Sequence, residues 1–302
     1  MKRIIKGAIP EKLLRYVETN PNATWDEMSS DNTSGGSQAA QECRNQAIRE
    51  QKGLCAYCER EISTEDPLRR RIEHFHPKSD RTGNINWGLD WKNMLATCDG
   101  GSRSSDEERF AHPLPKSLSC DASKDYMIQT HKIPMVCEGY MLNPLEIPAY
   151  PNLFTLHKGT GDISPDEANC ARIEIAGNVF ETTAQLVEST IQILNLNSSR
   201  LTEKRRLVVI NIDQNKKRLK AIGITPEKCQ QNLLSATVVK NGLRFSQPCV
   251  LALELILKPI FNPWIIRGEA DNKEKTASVV FTQLSTLNAD EESLEAIEDW
   301  HY

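Results

Sequence analysis

The sequence predicts an α+β fold in which a small region of short strands, rich in cysteine and histidine, precedes a mainly helical C-terminal region. Three observations support this prediction. Four of the nine cysteines fall between residues 55 and 120, interleaved with a short histidine-containing segment. Prolines at positions 134, 144, 148 and 151 keep the next segment out of helix, because proline lacks the N–H that a helix interior needs. From Thr183 onward, apolar residues recur at helical spacing.

Length and composition bound the class of protein. The 302 residues are enough for one large or two modest domains, and 39% hydrophobic with 26% charged residues is typical of a soluble globular chain. The longest apolar stretch, 250–257, is interrupted by Glu254, so no membrane span is predicted. The N-terminus lacks the apolar block of a secretory signal, and we therefore expect a cytoplasmic protein. In a reducing compartment, nine cysteines are typical of metal ligands, buried small residues or reactive thiols.

Four regions are expected along the chain. Residues 1–40 form an N-terminal arm and loop, because residues 21–38 have the asparagine-, serine- and glycine-rich composition of a loop. Residues 41–130 carry the candidate site, 131–182 form a short β and loop segment, and 183–302 are helical. The net charge of −4 gives no indication that the chain as a whole binds polyanions such as nucleic acid. There is no phosphate-binding loop motif, so any ATP dependence must come from another chain.

Individual elements follow from local patterns. Residues 38–52 lack proline and glycine and are rich in helix formers, so they predict a helix that Gly53 ends. A second loop is expected over 100–117. Short strands are predicted at Leu153–Leu156 and at Ile173–Phe180, the second with a turn at Gly177-Asn178.

The helical region is predicted from two apolar faces, which are formed by Leu186, Val187, Ile191 and Leu194 and then by Leu201, Val208, Ile212 and Leu219. Further helices are predicted over 226–238, 248–258 and 289–299. The predicted helix that carries Leu201 and Leu219 is also strongly basic. Its basic residues are Arg200, Lys204, Arg205, Arg206, Lys216, Lys217, Arg218 and Lys220. These charges fit either a solvated helix face or a surface for nucleic acid or an acidic partner.

The cysteines in 41–130 have the pattern of a metal site. A Cys-x-x-Cys turn, here Cys55 to Cys58, places two thiolates within reach of one tetrahedral ion, and Cys98 and Cys120 can complete the set. A redox pair is the first alternative, but that motif follows a strand, whereas a predicted helix and Gly53 precede this turn. Buried cysteines without a ligand are the second alternative.

A histidine and a carboxylate lie between the cysteines. In an extended strand, adjacent Glu73 and His74 point to opposite faces while His74 and His76 share one, and Pro77 stops a central strand. A lone histidine is more often packed or solvated than catalytic. This one has a carboxylate beside it, Asn93 nineteen residues on, and an aspartate directly after the last of the four cysteines.

The ordered set Cys55-x-x-Cys58, Glu73-His74-x-x-Pro77, Asn93-Met94-Leu95-x-x-Cys98 and Cys120-Asp121-x-x-Lys124 resembles the HNH endonuclease motif. The resemblance implies a zinc-supported ββα-metal core of treble-clef-like form within 41–130. More narrowly, Lys52–Glu59 and Glu73–Ser79 are similar to the PtuB-type HNH component of the Septu anti-phage pair, which works with an ABC-like ATPase. Outside the core the likeness extends to about residue 220, and it rests on Leu142–Leu145, Gly161–Ile163 and Leu194–Asn197 with Arg205 and Arg206.

The resemblance assigns roles residue by residue. His74 is the general base, Glu73 binds a catalytic Mg²⁺ or Mn²⁺, and Asn93 holds the imidazole of the base or joins the metal shell. Asp121 stands where histidine or asparagine is usual, and its oxygens suit the same hard ions. A second departure is the 21-residue gap between the third and fourth cysteines, which the commoner motif closes in a few residues. The four structural zinc ligands are Cys55, Cys58, Cys98 and Cys120.

Two lysines and two further histidines complete the candidate residues. Lys78 and Lys124 are candidates for contact with nucleic-acid phosphate, although either is equally well explained as a surface lysine. His76 and His112 are expected to be structural or surface residues.

The sequence therefore predicts a metal-dependent endonuclease that hydrolyses phosphodiester bonds of DNA, as the effector of an anti-phage hetero-oligomer with an ATPase subunit. A neutral imidazole can take a proton from water near pH 7, and a metal ion offsets charge on the phosphoryl oxygens. Two alternatives stay open: the same fold cutting RNA, including tRNA, and a zinc-stapled interaction module without catalysis. In each case we expect the helical region 183–302 to bind the partner.

Overall fold

The computed structural model describes residues 1–63, 66 and 69–221. Within them the helices are α1 (Glu11–Thr19), α2 (Trp25–Ser30), α3 (Gly36–Glu50), α4 (Asp106–Ala111), α5 (Cys120–Gln129), α6 (Glu167–Cys170), α7 (Thr183–Ile193) and α8 (Ser199–Ala221). The strands are β1 (Arg70–His74), β2 (Met94–Cys98), β3 (Phe154–Leu156) and β4 (Ile163–Pro165). This combination of helices and two small sheets confirms the α+β class. None of the helices described has the length and apolar character needed to cross a membrane.

The N-terminal arm is more ordered than its composition predicts. The helix predicted over 38–52 is confirmed as α3, and α1 and α2 both pack against it. The loop predicted over 21–38 is wrong in part, because it contains α2. Thr24 starts that helix by accepting a hydrogen bond from the backbone N–H of Glu27, whose carboxylate accepts the N–H of Thr24 in return. Burial of Trp25 and Met28 then fixes the short helix on the core.

Strands β1 and β2 form the antiparallel hairpin that carries the candidate site, with Arg70 opposite Cys98 and His74 opposite Met94. Every residue of β2 is buried, and α5 packs on the sheet. The buried amide of Gln51 joins the end of α3 to β2. Its Nε2 donates to the carbonyls of Leu54 and Ala96, and its Oε1 accepts the N–H of Ala96. The hairpin, α3 and the Cys55–Cys58 turn are therefore held as one unit.

The next segment contains one of the two short strands predicted for it. The strand at Leu153–Leu156 is confirmed as β3, which pairs with β4. The strand predicted at Ile173–Phe180 is wrong, because this segment is irregular and only its turn at Gly177 is present. The side chain of Asn178 accepts the N–H of Phe180 and donates to the carbonyl of Thr182, so local bonds replace a strand ladder.

The first two C-terminal helices are confirmed as α7 and α8, with Leu186, Val187, Ile191 and Leu201 buried. The side chain of Leu219 and the helices predicted over 226–238, 248–258 and 289–299 lie outside the described residues. The loop predicted over 100–117 contains the short helix α4, which Ser105 caps through a reciprocal bond with Glu108.

Two of the basic residues of α8 do not belong to a solvated or ligand-binding face. Arg200 and Arg205 are 5% and 6% exposed. Arg200 donates to Ser119 Oγ at 2.6 Å, and Arg205 donates to the carbonyl of Gly161 at 3.2 Å. Both guanidinium groups tie α8 to earlier loops, so they must be removed from any estimate of the surface charge of this helix.

Candidate metal and catalytic site

The structure brings the four predicted cysteines into one buried cluster. The sulfur atoms of Cys55, Cys58, Cys98 and Cys120 all lie within 4.8 Å of one another, and none is in a disulfide. Three of the Sγ–Sγ distances are 3.9 Å for Cys55–Cys120, 3.8 Å for Cys58–Cys98 and 3.7 Å for Cys98–Cys120. A tetrahedral ion with metal–sulfur bonds of about 2.3 Å has ligand separations of about 3.8 Å. The donor set therefore fits a metal ion such as zinc.

Backbone geometry directs the sulfurs inward from three elements. The Cys55–Cys58 turn ends at Glu59, which has a left-handed φ of 58° and whose N–H donates to the carbonyl of Cys55 at 3.0 Å. Cys98 is the last residue of β2. Cys120 opens α5 with a φ of 57°, and its N–H donates to the carbonyl of Leu194 at the end of α7. The fourth sulfur is thus positioned partly by the C-terminal helices.

The 21 residues between Cys98 and Cys120 leave and re-enter the site through a closed neck. The N–H of Ser119 donates to the carbonyl of Gly100 at 2.9 Å. Gly100 has a φ of +61°, and a Cβ there would lie 2.2 Å from the Ser119 carbonyl oxygen, so only glycine allows this approach. The long gap between the third and fourth cysteines is consequently a loop inserted into a compact knuckle.

Glu73 faces α5 and is paired through one of its two carboxylate oxygens. Its Oε1 accepts from the ammonium of Lys124 and, at 3.3 Å, from the hydroxyl of Tyr57. The ammonium of Lys124 also donates to the carbonyls of His74 and Phe75 at 3.3 and 3.2 Å. Lys124 is 4% exposed. The structure thus places this lysine inside the hairpin–helix junction, and not on a surface where it would meet phosphate.

Asp121, in the first turn of α5, lies near Glu73 of β1, and only one of its two carboxylate oxygens has a partner. Its Oδ2 is 3.6 Å from Nη1 of Arg71, whereas its Oδ1 is buried with no hydrogen-bond donor among the described residues. Burial, followed by the negative charge of Glu73, raises the pKa of Asp121 to about 8. Asp125 stands one turn further along the same face of α5 and adds a third carboxylate.

This carboxylate set fits a hard divalent ion in its chemistry. Mg²⁺ is usually held by one or two carboxylates, with water and substrate phosphate completing the shell. Glu73 and Asp121 supply that number, and the buried Oδ1 of Asp121 is a ligand atom without a partner. In the described part of the chain, however, only the four cysteines bring three or more such ligand atoms within 4.8 Å. The structure shows two adjacent carboxylates and not a closed cage.

His74 lies on the other face of β1 from Glu73, as the strand alternation predicts. Its Nε2 is 3.0 Å from the carbonyl oxygen of Gly88, and its ring packs edge-on against Trp25 at 5.2 Å. Because a carbonyl can only accept, Nε2 carries the proton and Nδ1 keeps its lone pair. Burial lowers the pKa of His74 to about 4, so its imidazole is neutral near pH 7. The residue has the protonation state that a general base requires.

Asn93 makes no hydrogen bond with the imidazole of His74 among the described residues. Its Oδ1 accepts the N–H of His76 at 2.7 Å, and its Nδ2 donates to the carbonyls of His76 and Trp87, both at 2.9 Å. Both ends of the amide therefore close the loop that joins β1 to β2. The same loop supplies the Gly88 carbonyl that orients His74. The geometry therefore favours loop positioning over the two contacts that the resemblance implies for Asn93.

The remaining candidates take structural or peripheral places. The His76 imidazole lies between Glu138 and Asp80, at 2.7 and 2.8 Å, outside β1 because the strand ends at His74. His112 bonds Ser199 Oγ at 2.8 Å and thereby joins the inserted loop to α8. Lys78 is exposed and pairs with Asp26, and its positive charge adds to the effects that lower the pKa of His74.

Several residues at the site were not predicted from the sequence. Tyr57 and Arg71 contact the carboxylates, and Trp25 contacts His74 from more than forty residues away along the chain. Only Asp125 had a local signal, because it stands four residues after Asp121, the spacing that places two residues on one face of a helix.

Comparison with known proteins agrees with this geometry. No protein-family model matches the chain. A protein of Escherichia coli named "Retron Ec83 putative HNH endonuclease" is 37% identical over 215 residues, which cover 70% of this chain and 81% of that protein. The aligned length therefore spans most of both proteins. Together with the ordered cysteine, histidine and asparagine positions, this similarity shows that the chain belongs to the HNH endonuclease family.

Proposed function

We propose that the protein is a divalent-metal-dependent endonuclease that hydrolyses phosphodiester bonds of DNA, with His74 as the catalytic general base. One observation carries the assignment: the Gly88 carbonyl fixes Nε2 of His74 as the protonated nitrogen, so Nδ1 has the lone pair. A neutral imidazole that accepts a proton from the attacking water contributes roughly 10² to 10⁴ to the rate.

Glu73 and Asp121 are the residues that would hold the divalent ion, with Mg²⁺ or Mn²⁺ as the proposed species. Such an ion, when bound, stabilises negative charge on the phosphoryl and leaving oxygens. The ion pair between Lys124 and Glu73 balances the carboxylate charge inside the protein. Asn93 closes the loop that carries Gly88, and so it keeps the imidazole in the orientation that water attack requires.

Zinc is the proposed structural ion at Cys55, Cys58, Cys98 and Cys120. These four residues come from the turn after α3, the end of β2 and the start of α5. Binding there would hold the hairpin and α5 in register, because each of the three elements supplies at least one ligand. Cysteine thiols are kept reduced in the cytoplasm, which is the compartment that we propose for this protein.

We further propose a role in anti-phage defence with a separate ATPase subunit. The likeness to PtuB-type proteins supports this role, and the name of the Escherichia coli relative associates that protein with a retron. In this proposal the chain brings the cutting site to a hetero-oligomer, and the region 183–302 binds the ABC-like ATPase.

One observation favours a non-catalytic interaction module as the second candidate. Lys124 already neutralises Glu73 from within the core, which is the arrangement that a vestigial metal site would keep. Cleavage of RNA is a variant of the first candidate, because attack of water on phosphorus does not select the sugar.

The experiment compares the wild type, His74→Ala and His157→Ala, each with and without a cognate ATPase, on plasmid DNA and total RNA with Mg²⁺ or Mn²⁺. His157 is an exposed histidine outside the site and serves as the matched control. We expect DNA cleavage that falls by roughly 10² to 10⁴ in His74→Ala and is unchanged in His157→Ala. Equal inertness of wild type and His74→Ala on both substrates, with zinc content and folding intact, would support the interaction module. RNA cleavage alone would replace DNA as the substrate.

A further inference from the structure

A groove beside the candidate site concentrates positive charge in a chain that is acidic overall. It encloses about 530 Å³ between α3, the start of β1 and the loop after β2. Four arginines line it, Arg44, Arg70, Arg71 and Arg103, and we call it the arginine groove. The net charge of the whole chain is −4, so this local excess of cations is not a consequence of composition.

The lining is built for an anion. Besides the arginines it contains one apolar residue and five uncharged polar residues, which are Ser29, Ser37, Gln38, Gln41 and Asn45. Among the described residues that line it there is no carboxylate. Arg44, Arg70 and Arg103 make no ion pair with any carboxylate in the described part of the chain, and only Arg71 reaches one, in Asp121. Four guanidinium groups around one groove repel one another, and a polyanion would offset that repulsion.

The side of α3 that faces the groove is polar along its length. Gln38, Gln41 and Asn45 follow one another at spacings of three and four residues, so they lie on one face of the helix, and Arg44 stands next to Asn45. The opposite face buries Ala40 and Cys43 against the core. The helix is therefore fixed by its apolar face, and it offers the groove a row of hydrogen-bond donors at fixed positions.

Two arginines of the arginine groove lie close to the candidate catalytic residues or to a residue that packs on them. The guanidinium of Arg71 lies 3.6 Å from Asp121, and Arg71 precedes Glu73 by two residues on β1, about 7 Å along the strand. The guanidinium carbon of Arg44 lies 5.9 Å from the ring centre of Trp25, whose ring packs on His74. A chain of phosphates lying in the groove would thus pass close to Asp121, while Trp25 contacts both Arg44 of the groove and the imidazole of His74.

We propose that the arginine groove binds the phosphate backbone of DNA and holds it next to the scissile bond. The inference rests on the proposed nuclease function and adds the surface by which the substrate is held. Guanidinium groups suit this role because their fork of donors matches two phosphate oxygens at once. Such contacts position a duplex and do not read its sequence, so binding by this surface is independent of sequence.

The test replaces two arginines of the groove that are not in contact with the carboxylates. Binding of a short labelled DNA duplex, and of an RNA duplex of the same sequence, is measured over a series of salt concentrations. The full-length chain carries His74→Ala in every sample, so that cleavage does not interfere. Arg44→Gln/Arg103→Gln is compared with Lys158→Gln/Arg172→Gln, which removes the same charge from exposed positions outside the groove.

Each phosphate contact contributes about 0.9 to the slope of log affinity against log salt, so the groove variant should lower the slope by about 1.8. At 0.1 M salt this is a loss of about eightfold in affinity per contact, or about 60-fold for two. The control should keep the wild-type slope. Arg103→Gln alone, at an exposed side chain, keeps the test valid if the Arg44 change lowers the melting temperature.

Equal slopes for the groove variant and the control would overturn the proposal, and so would absence of salt-dependent DNA binding in the parent protein. A loss confined to RNA would overturn it in favour of an RNA-binding groove. These outcomes are separate from a failure of the nuclease assignment, because that assignment is tested by cleavage and the groove by binding alone.

Discussion

Replacement of Asn93 tests whether its side chain acts as a loop clamp, holding the loop between β1 and β2 closed, or binds a metal ion. In the structure the side chain of Asn93 is 4% exposed and makes three hydrogen bonds to backbone groups of His76 and Trp87. Asn93→Ala removes all three bonds and leaves one N–H and two carbonyls unpaired. Each such bond contributes about 1 kcal/mol, and an unpaired buried partner adds to the cost, so we expect a loss of about 3 kcal/mol.

The assay is thermal unfolding followed by circular dichroism in zinc-containing buffer. For a chain of this size a loss of about 3 kcal/mol corresponds to a fall of roughly 6 to 12 °C in the melting temperature. Asn93→Asp is the diagnostic variant. It keeps the acceptor for the N–H of His76 but turns a lone pair and a buried charge towards two carbonyl oxygens, so we expect it to be at least as unstable as Asn93→Ala. Asn22→Ala, in the exposed loop between α1 and α2, is the control.

A ligand role predicts the opposite result for the aspartate variant, because a carboxylate binds Mg²⁺ more strongly than an amide does. The clamp interpretation would therefore be refuted by an Asn93→Asp protein that melts with the wild type and cleaves DNA at the wild-type rate. It would also be refuted if Asn93→Ala changed the melting temperature by no more than the Asn22→Ala control.

The remaining predictions concern the metal cluster and the buried ion pair. Cys55→Ser should lose bound zinc and most of the thermal stability, since structural zinc contributes on the order of 10 kcal/mol to folding. Cys43→Ala, at a buried cysteine outside the cluster, is the control and should keep its zinc, measured by atomic absorption. Normal zinc content in Cys55→Ser would contradict the cluster. Gly100→Ala should weaken zinc retention against a chelator, because its Cβ would push Ser119 away from its place beside Cys120. Lys124→Met should cost about 3 to 5 kcal/mol in unfolding experiments by leaving a buried carboxylate unpaired, and Glu73→Gln in the same protein should restore much of that loss. Failure of the second change to restore stability would show that the two side chains are not coupled.

Sequence patterns predicted the parts of the site that depend on local spacing. The Cys55–Cys58 turn, the opposite faces of Glu73 and His74, and the helices α3, α7 and α8 all follow from short-range rules of turns, strands and helices. The meeting of four cysteines was predicted only because an ordered motif linked them, since spacing alone did not exclude redox or unligated alternatives.

The parts that could not be predicted depend on contacts between distant residues. Lysine is almost never fully buried without a partner, so the burial of Lys124 requires knowledge of Glu73, fifty-one residues earlier in the chain. Arg200 and Arg205 looked like surface charges because their partners, Ser119 and Gly161, are also remote in sequence. The arginine groove likewise unites positions from three separate segments that share no motif.

The neck formed by Gly100 and Ser119 separates the geometry of the four-cysteine cluster from the length of the inserted loop. Loop-closure entropy rises by only about 0.6 kcal/mol for each doubling of loop length, and here the ends are already held together by a backbone hydrogen bond. An insertion within α4, between the neck and the residues that tie the loop to α8, is therefore expected to leave Cys98 and Cys120 in place. This part of the chain is a place where new recognition elements can evolve, or a reporter can be inserted, while the metal centre beneath it stays the same.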